Sequence, residues 1–118
     1  MSVGCDLEEI ARFSRLLRSA RFMAETFTAA ERAHIAASVR PARSAAGIWC
    51  AKEACAKALG RGLYGLLPQE LSVTWDGRGA PRLTLCGAAA KAFPGVRLCL
   101  SVSHSGGYAM AVVQAEPF

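Results

Sequence analysis

The chain has 118 residues, of which 53% are apolar, and its 14 Lys+Arg against 9 Asp+Glu give a net charge of +5. That length suits one domain, and the apolar content excludes a disordered chain. No apolar run approaches the ~18 residues of a membrane span, and the first residues lack a basic, apolar leader, so a cytoplasmic protein is expected.

Ser2 to Cys5 reads as a short strand. From Asp6 to about Ser19, Leu7, Ile10, Phe13 and Leu17 recur at helical spacing, which predicts a helix with Asp6 as its N-cap. Arg12, Arg15, Arg18 and Arg21 make its other face basic, and Glu8 lies four residues before Arg12 and can pair with it. Thr28-Ala29-Ala30-Glu31 is a capping box opening a helix to about Ser38. Arg40-Pro41 breaks it, and an alanine-rich helix is predicted from about Ala42 to Leu59, stopped by Gly60. After a loop marked by Gly60, Gly62 and Pro68, the period becomes two. Leu71 to Trp75 and Arg82 to Leu85 read as a hairpin around Asp76-Gly77-Arg78-Gly79. Gly87 to Phe93 reads as a short helix, and Arg97 to Val102 and Tyr108 to Gln114 as strands joined by a turn over Ser103 to Gly107. This order predicts a single α+β domain over residues 1–118, with an antiparallel sheet packed against helices.

Five cysteines without a Cys-x-x-Cys pair argue against a zinc site or a disulfide framework. Buried, reduced thiols are expected, in a reducing compartment. A mean hydropathy of +0.25 is high for so small a domain and points to apolar surface buried between subunits. The positive charge calls for an acidic or phosphorylated partner. Nucleic acid is disfavoured, because aromatics interleaved with Lys/Arg on a strand are lacking, as are helix-turn-helix and zinc signatures.

Three segments concentrate the chemistry: Gly4-Cys5-Asp6, Trp49 to Ala58 and Ser101-Val102-Ser103-His104. Glu53 and Lys57 are four apart and share a helix face, either as an ordinary ion pair or as working groups. Asp6 either caps a helix, holds a metal, or does both. Magnesium needs only one or two protein carboxylates beside substrate phosphates, and Asp6 with Glu53 meet that requirement, with Lys57 placed to neutralise a phosphate oxygen. His104 is either a solvated turn histidine or, with Ser103 and the amides of the following Gly-rich turn, a hydrogen-bond donor to a phosphate.

These segments resemble the holo-acyl-carrier-protein synthases, the small 4′-phosphopantetheinyl transferases. The resemblance runs through Gly4-Cys5-Asp6, Phe27-Thr28-Ala29-Ala30-Glu31, Trp49 to Ala58 followed by Leu59-Gly60-Arg61-Gly62, and Ser101-Val102-Ser103-His104. It implies transfer of 4′-phosphopantetheine from coenzyme A to a serine of an apo-acyl carrier protein of fatty-acid or polyketide synthesis, with release of adenosine 3′,5′-bisphosphate. It implies Asp6 and Glu53 as Mg2+ ligands and Lys57 at the diphosphate. Ser103 and His104 would contact coenzyme A, and Gly60 and Gly62 would pass near it. It further implies a homotrimer with the coenzyme A site between subunits. Arg12 matches a carrier-binding position, and Arg15, Arg18 and Arg21 would extend that basic face. The serine proton would go to a metal-bound water or to Glu53. Cys5 and Ile48 depart from the family pattern, Ile48 by removing a positive charge. A non-catalytic carrier-binding domain of the same fold is the rival reading, and intact Asp6, Glu53 and Lys57 argue against it.

Overall fold

The computed structural model describes residues 1–61 and 65–117. In chain order these form β1 (Ser2–Glu9), α1 (Ile10–Leu16), α2 (Ala20–Thr26), α3 (Ala29–Ala37) and α4 (Pro41–Ala58). A 3-10 turn (Pro68–Glu70) leads into β2 (Leu71–Trp75) and β3 (Pro81–Leu85), then α5 (Gly87–Ala92), β4 (Arg97–Ser105) and β5 (Tyr108–Glu116). The strands form a three-stranded antiparallel sheet in the order β1-β5-β4 and a separate β2-β3 hairpin. This is the expected α+β class, with its antiparallel pairs packed against helices. No helix among the described residues is long and apolar enough to cross a membrane.

Helix α4 is the central element, packed on β1, β5, β4, β2, α1 and α3. Its alanines and Gly47 let neighbours approach closely, and from Ala45 to Ala58 nearly every residue is buried. It ends in a Schellman motif: Gly60 N–H donates to Lys57 O and Arg61 N–H to Ala56 O, with Gly60 at φ +77°. The capping box of α3 forms as expected, Thr28 Oγ1 accepting from Glu31 N and Glu31 Oε1 from Thr28 N.

The carboxylate of Glu31 does more than cap. Its side chain and that of Lys52 are fully buried and pair at 2.7 Å. Glu31 Oε2 also accepts from Val73 N at 2.6 Å, and Lys52 Nζ donates to Pro68 O at 2.7 Å. One ion pair thus ties α3, α4, β2 and the 3-10 turn together. Burial pulls the Lys52 amine down, and the charge of Glu31 opposes that.

Three sequence expectations are corrected. The predicted helix from Asp6 does not form; β1 continues to Glu9, pairing Asp6 with Ala111 and Glu9 with Tyr108. Asp6 is therefore a strand residue and no N-cap. Helix α1 starts at Ile10, whose N–H is taken by Gly107 O at 2.9 Å. The Leu7–Ile10 spacing misled because β1 pairs with β5 along all eight of its residues, a long-range ladder that local spacing does not encode. Helix α2, which the sequence reading lacked, is capped by Ser19 and directs Phe22 edge-on to Phe27 at 5.9 Å. Lastly, β4 runs through Ser103 and His104 to Ser105, and the turn is only Gly106-Gly107, both at positive φ. Two glycines suffice for a tight hairpin, so His104 is held in a strand rather than on a turn. Of the cysteines, Cys50 and Cys55 are buried as expected, whereas Cys5, Cys86 and Cys99 are exposed.

Lys52→Met leaves Glu31 charged and buried without its partner. It is expected to cost about 3–5 kcal/mol, read from urea denaturation. Glu31→Leu combined with Lys52→Met should recover only part of this loss, because Val73 N and Pro68 O stay unbonded.

Candidate functional site

Between Ala45 and Ala58 only Trp49, Glu53 and Lys57 escape burial. They are spaced four apart, so they form one stripe along α4. That stripe runs beside β1, and Gly4 lets the two elements meet. A Cβ on Gly4 would collide with Ala54 O and would lie 2.6 Å from Ala58 N. With β1 held this close, Asp6 comes against the stripe.

Lys57 does not form the ordinary helix pair with Glu53. Its Nζ reaches across to β1, donating to Asp6 Oδ1 at 3.2 Å and to Cys5 O at 2.9 Å. Asp6 Oδ2 is buried and has no hydrogen-bond partner. Burial pushes the Glu53 carboxyl above its ordinary range, and the nearby charges of Asp6 and Glu8 add to this, while Lys57 and Arg12 oppose it. Asp6, Glu53 and Lys57, named from sequence, are thus brought together.

A hard divalent cation fits this donor set. An orphaned carboxylate oxygen on Asp6 beside a second carboxylate, raised by burial first and by the Asp6 charge second, is a site short of positive charge. No group of three or more His, Cys, Asp or Glu among the described residues is arranged for a metal. A cation here would therefore rest on two carboxylates and take its other oxygens from water or a bound phosphate.

Sequence reasoning gave Glu8 only a helix pair with Arg12. The pair exists, at 2.9 Å, but it crosses from β1 to α1. The other Glu8 oxygen accepts from Trp49 Nε1 at 3.0 Å. Period-two alternation places Gly4, Asp6 and Glu8 on the face of β1 toward α4, and that reading was open only once β1 was known to continue.

The remaining predicted residues are dispersed. His104 packs over Gly47, whose added Cβ would lie 3.0 Å from Nε2. Gly47 is six residues before Glu53, about 9 Å along the helix axis. His104 Nε2 is buried and unpartnered, and burial, with the Arg43 charge, draws its pKa down. Ser103 is the next residue on the strand, so it points to the opposite face of the sheet and is exposed. Gly60 serves the helix cap described above, and Gly62 lies outside the described residues. Arg12 and Arg15 lie on α1, Arg18 in the following turn and Arg21 on α2, so the expected continuous basic helix face is divided. Arg21 is occupied by Glu25 at 2.9 Å. Ile48, at the departure from the family pattern, is 4% exposed within the core. A groove of about 770 Å³ runs past His104, between α1, the start of α4 and the β4–β5 turn. Arg40 and Arg43 line it, two cations that the sequence reading did not single out.

The chain matches the family model described as ACPS, the 4′-phosphopantetheinyl transferase superfamily, over residues 2–113. The holo-[acyl-carrier-protein] synthase of Syntrophotalea carbinolica is 42% identical over 120 residues, covering 97% of this chain and 94% of the relative. The Helicobacter pylori holo-[acyl-carrier-protein] synthase, solved in complex with coenzyme A, superposes with a TM-score of 0.86 at 28% identity, covering 97% and 99% of the two chains. The Bacillus anthracis holo-(acyl-carrier-protein) synthase, solved with coenzyme A (3′,5′-ADP), gives 0.79 at 30% identity, covering 95% and 92%.

The electrostatic reading of the stripe has a direct check. In metal-free protein, Asp6→Asn should lower the titration midpoint of the Glu53 carboxyl and Lys57→Met should raise it, as read by carbon-13 NMR. A midpoint insensitive to both changes would contradict the coupling of β1 to α4.

Proposed function

This chain belongs to the 4′-phosphopantetheinyl transferase superfamily, and we propose that Asp6, Glu53 and Lys57 are the groups with which it performs the family's reaction. It transfers 4′-phosphopantetheine from coenzyme A to a serine of an apo-acyl carrier protein, releasing adenosine 3′,5′-bisphosphate. The observation that supports the residue assignment is the convergence on one face of an orphaned Asp6 oxygen, a raised Glu53 carboxyl and the Lys57 ammonium.

Asp6 and Glu53 would hold Mg2+, which supplies charge neutralisation at the diphosphate when bound. Phosphoryl transfer depends mainly on positioning and on charge stabilisation. Lys57 is half-exposed and already donates to Asp6 Oδ1 and Cys5 O, so the third N–H of its ammonium is left to take a phosphate oxygen of coenzyme A and to stabilise the leaving group. The serine proton would go to Glu53 or to a metal-bound water. The Arg40–Arg43 groove, which His104 also lines, has the charge for the anionic end of coenzyme A.

A homotrimer with coenzyme A bound between subunits is supported by the outer face of the sheet. Val3 is 67% exposed, Leu7 62%, Met110 40% and Val112 37%, an apolar face of the kind that subunits cover. Ser103 opens onto that face and His104 onto the inner one, so a cleft with a neighbouring copy would collect both. Arg12, Arg15 and Arg18 would meet the acidic carrier.

Incubation of an apo-acyl carrier protein with this protein, coenzyme A and magnesium should raise the carrier's mass by ~340 Da (the phosphopantetheine group in this phosphoryl transfer), and EDTA should prevent it. Glu53→Gln should lower kcat by about 100-fold or more with an unchanged melting temperature. Arg12→Glu should raise KM for the carrier about tenfold and leave KM for coenzyme A nearly unchanged. Equal effects on both substrates would remove α1 from the docking surface.

A further inference from the structure

Glu8 stands two residues along β1 from Asp6 and uses both of its oxygens on groups from different elements. Oε1 accepts from Trp49 Nε1 of α4 at 3.0 Å, and Oε2 accepts from Arg12 Nη1 of α1 at 2.9 Å. Its side chain is only 18% exposed, whereas that of Arg12 is 44% exposed. The carboxylate is thus fixed and sheltered, and the guanidinium it holds still faces outward.

Trp49 is itself immobilised. Its ring packs on Phe13 at 6.4 Å and on Phe22 at 6.0 Å, and Phe22 packs in turn on Phe27. Phe13 and Phe27 are fully buried. The indole is the first member of the stripe that continues through Glu53 and Lys57. The chain of contacts from aromatic cluster to indole to carboxylate to guanidinium therefore begins in the core and ends at the surface beside the reaction site. Arg12 lies near enough to Glu53 for its charge to draw that carboxyl down.

An exposed helical Glu–Arg pair contributes little and leaves both side chains mobile. This pair differs because the glutamate belongs to a strand and is anchored by a second, rigid donor. A guanidinium has five N–H donors in a planar fork. Glu8 engages Nη1, which aims the fork and leaves other donors for an incoming carboxylate.

We propose that Glu8 is a positioning residue for the transfer: held by the Trp49 indole, it aims Arg12 so that an acidic carrier docked on α1 is delivered beside Asp6 and Glu53. The inference rests on the carrier docking at Arg12 proposed for this chain. Glu8 touches neither substrate; it acts through Arg12. Its loss therefore changes how the carrier is used and leaves coenzyme A recognition alone.

The test is steady-state kinetics with carrier and coenzyme A varied separately, for wild type, Glu8→Gln, Trp49→Phe, Arg12→Ala and the Glu8→Gln/Arg12→Ala double variant. Glutamine keeps an oxygen for the indole but loses the charge that holds the guanidinium, so Glu8→Gln should fold normally. Its kcat/KM for carrier should fall about tenfold, which corresponds to about 1.4 kcal/mol, with KM for coenzyme A within about twofold. Trp49→Phe, which keeps the ring and removes the N–H, should move carrier kcat/KM in the same direction by a smaller factor. On the Arg12→Ala background the added Glu8→Gln change should have almost no effect. Carrier affinity measured by calorimetry without coenzyme A or magnesium should weaken in parallel. An unchanged or improved carrier KM in Glu8→Gln overturns the proposal, as does additivity in the double variant or an equal loss for coenzyme A. A wild-type protein that fails to modify the carrier overturns the transfer itself. A wild type that works with an Arg12→Ala variant of normal carrier KM overturns the docking assignment, and with it the role of Glu8.

Discussion

The buried pair of Glu31 and Lys52 sets the frame in which everything else sits. Two full charges without solvent are costly unless their hydrogen bonds are complete, and here they nearly are: Thr28 N, Val73 N and Lys52 meet the carboxylate, and Pro68 O meets the ammonium. These partners come from α3 and its cap, from β2, from α4 and from the 3-10 turn, so the pair exists only if all are in register. Its consequence for chemistry is rotational. Lys52 immediately precedes Glu53 on α4, and successive helix residues are about 100° apart. Anchoring Lys52 inward turns Glu53 toward β1.

From that rotation the site follows. The small residues of α4 bury all but one stripe of it, and the missing side chain at Gly4 draws β1 onto that stripe. Strand and helix then share their charges: Lys57 binds Asp6, and Trp49 binds Glu8. The thiols inside this packing are inert fillers; burial pushes Cys50 and Cys55 up to about 12.

Strand β1 inverts the usual order of a small domain, while β5 keeps it with Ala109, Ala111 and Val113 buried. On β1 the inward residues Asp6 and Glu8 are polar and the outward residues Val3 and Leu7 are apolar and exposed. The inward polar residues are those proposed for the chemistry, and the outward apolar face is the one proposed to be covered by neighbouring copies. The same inversion hid the second half of β1, Asp6 to Glu9, from a reading by pattern, because an amphipathic strand is normally recognised by apolar residues facing its own core.

The capping box at Thr28, the stop at Gly60, the α4 helix and the β2-β3 hairpin depend on backbone chemistry within a few residues, so the chain alone determined them. That Glu53 and Lys57 share one face of α4 was legible as well, because four-residue spacing on a helix fixes it. Tertiary structure decided the rest. Strand pairing with β5 made Asp6 a strand residue, close approach at Gly4 joined Lys57 to Asp6 instead of to Glu53, and β4 continuing to Ser105 put His104 and Ser103 on opposite faces. The partners in each case are separated by tens of residues, and their contact energy comes from packing and pairing that no local pattern encodes.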